Sequence, residues 1–124
     1  MGKGLLLLVG FGKEDDSSKL RPMAEKLLNM RVFPDEKGRF HFSVIDMAGE
    51  VLAVPQFTLY ADTKKGRRPE FFSAKEPKEA TRLFDEFVEQ LNELHSEKVA
   101  TGSFGAYMKV SLENDGPVTI MLEG

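Results

Sequence analysis

Five consecutive aliphatic residues, Leu5 to Val9, stand between Gly4 and Gly10, and no other stretch restricts the fold of this chain as strongly. The run is too short to span a bilayer. It lacks the small-residue cleavage site of a secretory signal, and Lys13-Glu14-Asp15-Asp16 follows at once. It therefore reads as a buried β-strand. A strand apolar on both faces expects cover above and below and a neighbour on each side. Because it opens the chain, one of those neighbours is expected from later residues or from another chain.

Beyond the acidic turn, Leu20, Met23, Ala24, Leu27, Leu28 and Arg31 recur with a helical period, with Ser17 and Ser18 as candidate caps and Pro22 tolerable only in the first turn. This predicts a helix ending near Met30. Arg31-Val32-Phe33 reads as extended and Pro34 to Gly38 as a turn. Phe40, Phe42 and Val44 alternate with polar residues, and the Ala48-Gly49-Glu50 turn joins that strand to a longer one, Val51 to Tyr60, as a predicted hairpin. Ala80, Leu83, Phe84, Phe87, Val88, Leu91 and Leu94 mark a second helix, with Pro77 at its first position. Lys98 to Thr101, Gly105 to Asn114 and Val118 to Leu122 read as three further strands. The order predicts an α+β domain with two main helices on a mixed, largely antiparallel sheet. No repeat or linker divides residues 1–124, so one domain is expected.

Composition narrows the chemistry. Seventeen Lys and Arg against 20 Asp and Glu leave a net charge of −3 in 124 residues, so nucleic acid could be met only by a local patch. A chain of this length buries roughly two thirds of its unfolded surface, enough for one core without a staple. The absence of cysteine excludes disulfides, a thiolate nucleophile and Cys-containing zinc sites. His41 and His95 have no His-x-x-x-His spacing, so no metal is expected. The charge-favourable helix end is the simplest role for His95. Gly10-Phe11-Gly12 lacks the third glycine of a dinucleotide-binding turn and meets acidic residues.

Two segments resist a purely architectural account. In Pro55-Gln56-Phe57-Thr58-Leu59 a proline interrupts an apolar strand, which suits an edge or a bulge. An edge strand is the simpler reading; a bulge would re-aim Gln56 and Thr58 and free nearby amides. Asn114-Asp115-Gly116-Pro117-Val118-Thr119 reads most simply as a hairpin turn, although a Gly-Pro bond can be cis and can present carbonyls at fixed positions.

Together with the basic Lys64-Lys65-Gly66-Arg67-Arg68-Pro69 and with Thr101-Gly102-Ser103-Phe104-Gly105-Ala106, these segments resemble D-aminoacyl-tRNA deacylases, in family order and spacing from about Gly4 to the C-terminus. The resemblance implies a cytoplasmic homodimer that hydrolyses the ester between a D-amino acid and tRNA, with neither a metal nor an organic cofactor. It assigns Gln56, Phe57 and Thr58 to the first active-site motif. It assigns Gly116 and Pro117, flanked by Asn114 and Thr119, to a cis Gly-Pro loop that enters the partner's pocket. Phe104 matches an aromatic position beside the terminal adenosine. The position of Lys64, Lys65, Arg67 and Arg68 suggests contacts to tRNA phosphates, which such side chains make without reading sequence.

The chain departs from the family pattern in two places. Pro55 stands where members usually carry serine, and proline there resembles the related animal-type deacylase that removes mischarged L-alanine. Members also usually begin with about twenty more residues before Gly4, including an arginine that holds the Gly-Pro loop, and loss of that strand is expected to bare an edge of the Leu5 strand. The other readings are a tRNA deacylase acting on mischarged L-alanine or glycine, an inactive tRNA-binding module, a structural protein, and the editing domain of a threonyl-tRNA synthetase.

Overall fold

The structure, a computed structural model, describes residues 2–124. The chain runs β1 (Gly4–Val9), a 3-10 turn (Ser17–Lys19), α1 (Leu20–Asn29), β2 (Phe33–Pro34), β3 (Phe40–Phe42), β4 (Glu50–Pro55), a second 3-10 turn (Phe57–Tyr60), α2 (Pro77–Leu94) and β5 (Val99–Thr101). Both predicted helices form. Pro77 occupies the first turn of α2, where its missing N–H costs no hydrogen bond. The cap before α1 is different from the one expected. Asp16, not Ser17 or Ser18, accepts from the Ser18 amide and caps the 3-10 turn that leads into α1.

The sheet corrects the largely antiparallel arrangement expected from the sequence. β1, β4 and β5 lie in the order β1-β4-β5 and both pairings are parallel. The connections explain it: α1 lies between β1 and β4, and α2 between β4 and β5, and such crossovers return the chain in its original direction. The antiparallel pair is the short β2–β3 ribbon, so β3 pairs with β2 across the Pro34–Gly38 turn and not with β4 as predicted. The α+β combination of two helices with strands is as expected.

The core lies between the helices and one face of this sheet. Leu28, Leu83 and Leu91 from the helices, with Val51 and Ala53 of β4, are fully buried, and Leu5, Leu7 and Val9 pack against them. At about 25 cal/mol per Å² of apolar surface buried, each such leucine contributes on the order of 2 kcal/mol. The helices are also joined at the surface by Arg21, whose Nη1 lies 2.8 Å from Glu93 Oε2 and 2.8 Å from Gln90 Oε1. His95, which caps α2, is buried, and its Nε2 lies 2.7 Å from the Gly49 carbonyl oxygen. The ring is thereby used to fasten the helix end to the turn before β4.

Three further expectations change. Among the described residues β1 pairs on one side only, which meets the expectation of a bared edge and not that of a neighbour on each side, and with Leu8 47% exposed it is covered on a single face. Val51 to Tyr60 is not one strand, because β4 stops at Pro55 and the residues after Gln56 coil into the 3-10 turn. No strand forms after Thr101, because Gly105–Asn114 and Val118–Leu122 find no ladder partner among the described residues. Leu122 packs against the core, but Tyr107, Val110, Leu112, Ile120 and Met121 are all exposed.

Candidate functional site

Parallel pairing brings the ends of three strands together. Val9 of β1 lies opposite Pro55 of β4, and Ala53 of β4 opposite Thr101 of β5. Gly10–Gly12, Gln56–Tyr60 and Gly102–Ala106 therefore leave the sheet at the same end, beyond the carboxyl ends of its strands, where ligands of open parallel sheets bind. Motifs distant in sequence become neighbours.

Pro55 ends β4, which is the central strand. It is neither the edge strand nor the bulge considered from sequence. The next amide, that of Gln56, donates to the Val9 carbonyl at 2.8 Å and anchors the turn to β1. Leu59 N then donates to Gln56 O at 3.3 Å and Ala61 N to Thr58 O at 3.0 Å, which closes the turn. The amides of Phe57 and Thr58 are the first of this helical turn and have no acceptor within it. Two N–H groups at the head of a helical turn form a ready site for an oxygen carrying negative charge.

The side chains complete this picture. Gln56 donates through Nε2 to Thr58 Oγ1, the two residues being held together on the surface of the turn. Phe57 is 53% exposed and meets Phe71 edge to face, with ring centroids 4.9 Å apart. Phe71 follows the basic loop, whose neck is closed by paired backbone bonds between Asp62 and Glu70 at 2.7 and 2.9 Å. Lys64, Lys65, Arg67 and Arg68 are exposed on that loop, and none makes an ion pair among the described residues.

At the third strand end, Phe104 is half-buried, packed on the core with its ring 6.5 Å from that of Phe84. Gly102 approaches β4 closely: a β-carbon there would lie 2.9 Å from Met108 Sδ and 3.4 Å from Pro55 Cδ. Met108 also takes the Ser103 amide at 3.3 Å, so its sulfur holds the loop that carries Phe104.

The fourth motif stands apart. The Gly116-Pro117 bond is cis, Asn114 Oδ1 accepts from Val118 N at 2.9 Å, and Asn114 Nδ2 donates to Thr119 Oγ1 at 3.0 Å. Asn114 thus fastens both ends of the turn. Gly116 and Pro117 are exposed, and no hydrogen bond links this turn to Gln56, Phe57 or Thr58 of the same chain.

The structure adds residues that sequence reasoning missed. Asp15 Oδ2 accepts from the Gly12 amide at 2.7 Å and Oδ1 from Lys19 Nζ at 2.9 Å, and the Tyr60 hydroxyl points at Oδ2 from 3.3 Å. Burial alone would raise the Asp15 pKa. The bonds from Gly12, Lys19 and Tyr60 outweigh it and hold the carboxyl below its ordinary range. Tyr60, partly desolvated and facing that carboxylate, is pushed upward. No local pattern marks these residues, because Asp15 reads as one more charge in an acidic turn.

Comparison with known proteins bears on the same set of loops. The chain belongs to the D-Tyr-tRNA(Tyr) deacylase family, which it matches over residues 1–123. It is 49% identical to a D-aminoacyl-tRNA deacylase of Thermosipho melanesiensis, the match covering 98% of this chain and 81% of that one. It is 48% identical to a D-aminoacyl-tRNA deacylase of Aquifex aeolicus, covering 99% of this chain and 82% of the other. Among solved structures, one described as a c-Myc DNA Unwinding Element Binding Protein superposes with a TM-score of 0.92 at 42% identity, covering 99% of this chain and 83% of that one. Another, described as a probable eukaryotic D-amino acid tRNA deacylase, superposes with a TM-score of 0.77 at 17% identity over 86% of this chain and 77% of that one, and shares the fold.

Proposed function

We propose that this chain hydrolyses the ester joining a D-amino acid to the terminal adenosine of tRNA, and that Gln56, Phe57 and Thr58 form the reacting side of its pocket. Membership of the deacylase family across residues 1–123 is the observation that carries the proposal. The Phe57 and Thr58 amides at the head of the Phe57–Tyr60 turn, without an acceptor among the described residues, support the assignment of roles.

In this reading the Phe57 and Thr58 amides receive the ester carbonyl oxygen as it becomes an oxyanion, a contribution of roughly 3 kcal/mol per donor. Thr58 is not the nucleophile. Its side-chain partner is the amide of Gln56, which is no base, and an unactivated hydroxyl attacks poorly. A water oxygen bonds to the ester carbon instead. Its proton passes by way of the neighbouring ribose hydroxyl to the departing ribose oxygen, the bond between that oxygen and the ester carbon breaks, and free D-amino acid and tRNA separate.

The other roles follow from the same reading. A second copy supplies Gly116 and Pro117, held by Asn114 and Thr119, and their backbone grips the amino group and α-carbon. Selection by main-chain groups ignores the side chain and excludes the L-enantiomer by collision. The exposure of this turn, away from the hydrogen bonds of its own Gln56–Thr58 segment, supports delivery to a partner. Phe104 lies beside the terminal adenosine, and Lys64, Lys65, Arg67 and Arg68 meet acceptor-stem phosphates. The reaction belongs to the cytoplasm, where tRNA is charged.

Deacylation of matched D- and L-tyrosyl-tRNA tests the proposal. The expected result is release of D-tyrosine with L-tyrosyl-tRNA spared. Release of L-alanine or glycine alone from their tRNAs would move the specificity to the class that Pro55 resembles, and release from none would remove the activity.

A further inference from the structure

The loop between β1 and α1 carries no residue of the reaction proposed above, yet it is fastened to the segments on both sides of the basic loop. Lys13 N donates to Ser73 O at 3.0 Å and Lys75 N to Phe11 O at 2.9 Å, which ties it to the chain just beyond Phe71. On its other side it approaches the 3-10 turn closely at two glycines. A β-carbon on Gly10 would lie 2.9 Å from the Gln56 carbonyl oxygen, and one on Gly12 would lie 2.8 Å from Cε1 of the Tyr60 ring. A side chain at either position would force its neighbour to shift, the Gln56 backbone at Gly10 and the Tyr60 ring at Gly12, and neither glycine has a positive φ.

Asp15 holds this arrangement from within. One carboxylate oxygen takes the Gly12 amide and faces the Tyr60 hydroxyl, and the other takes Lys19, which belongs to the 3-10 turn ahead of α1. The side chain is 17% exposed, so these bonds are shielded from much of the solvent screening that weakens surface pairs. The bond to Tyr60 at 3.3 Å is long. The ring is therefore held chiefly by its packing on Gly12, and the carboxylate fixes Gly12.

From this geometry we propose that Asp15, Gly12 and Tyr60 form a bracket that positions the Gln56–Tyr60 turn for the ester hydrolysis proposed above, with Asp15 and Tyr60 as positioning residues that never touch the substrate. Tyr60 is the last residue of the turn whose first two amides receive the oxyanion. Fixing its far end and its Gln56 end leaves the Phe57 and Thr58 amides one orientation. Donors aimed in advance at the developing charge give the rate, whereas binding of the tRNA body depends on other groups. Loosening the bracket should therefore lower kcat and leave KM nearly unchanged.

Gly12→Ala drives a methyl into the Tyr60 ring, and Asp15→Ala removes the acceptor that holds the Gly12 amide and Lys19. Each is expected to lower kcat for D-tyrosyl-tRNA by about tenfold or more, with KM within about twofold, because displacement of a catalytic group by a fraction of an ångström costs that much. Tyr60→Leu in the Gly12→Ala background makes room for the methyl and is expected to restore part of the activity. Amide exchange of Leu59 and Ala61, which close the turn, is measured on the same proteins without substrate and should quicken in both single variants. Unchanged exchange together with unchanged kcat overturns the bracket. Equal rises in KM with kcat preserved overturn it also. A wild-type protein with no turnover would instead refute the proposed reaction, and the exchange measurement would still judge the bracket.

Discussion

Asp15 shows how much a single residue can owe to bonds made on folding, first from Gly12 and Lys19 and then from Tyr60. Its carboxyl is held below the ordinary range of about 3.9 by bonds formed only on folding. A folded-state pKa below the unfolded one gives stability that is present in full above the unfolded value and is lost as pH falls through the folded value. Wild type should therefore melt higher than Asp15→Asn near pH 7, and the gap should close as the pH drops below about 4. Melting curves of the two proteins from about pH 7 to about pH 3 check this; a gap that widened toward acid would contradict the assignment. Gly12 and Lys19 lie three and four positions from Asp15, whereas the contact with Tyr60 spans 45 positions and is set by the fold alone.

At the scale of elements, the helices were legible and the sheet was not. The face formed by Ala80, Leu83, Phe84, Phe87 and Leu91 is buried as its spacing predicts, because helical periodicity is local and repeats many times within α2. Strand direction is a non-local property. The same alternation of Phe40 and Phe42 suits pairing with β2 or β4, and the Pro34–Gly38 turn decided for β2. The basic loop is likewise legible as composition only; its closed neck at Asp62 and Glu70 emerges with the fold. Replacing Lys64, Lys65, Arg67 and Arg68 with alanine should weaken binding to all tRNAs alike and flatten the salt dependence by about 0.7–0.9 for each phosphate no longer neutralised. Binding titrations at several salt concentrations measure both quantities, and an unchanged slope would separate the loop from the footprint.

For the whole molecule, the surfaces left uncovered point to association. β1 presents an open edge, and Tyr107 at 93% and Met121 at 78% exposure lie in a C-terminal segment without a ladder partner among the described residues. Apolar side chains and unpaired strand edges of this kind are ordinarily covered. Sedimentation is expected to give twice the monomer mass. Tyr107→Asp with Met121→Asp should lower that mass to the monomer and abolish turnover while the helical signal persists, because the proposed function builds the site from both copies. A wild-type protein that turned over D-tyrosyl-tRNA as a monomer would refute the shared site.

The amino-acid sequence by itself determined the two helices, the absence of thiol chemistry, and the four motifs whose order marks the deacylase family, because each depends on residue type and spacing along a short stretch. The tertiary structure alone decided that β1, β4 and β5 run parallel, that three loops meet at one end of the sheet, and that Asp15 reaches Tyr60. Those outcomes depend on which distant segments come to lie against one another. Crossover connections and buried surface select that, and no local pattern encodes it.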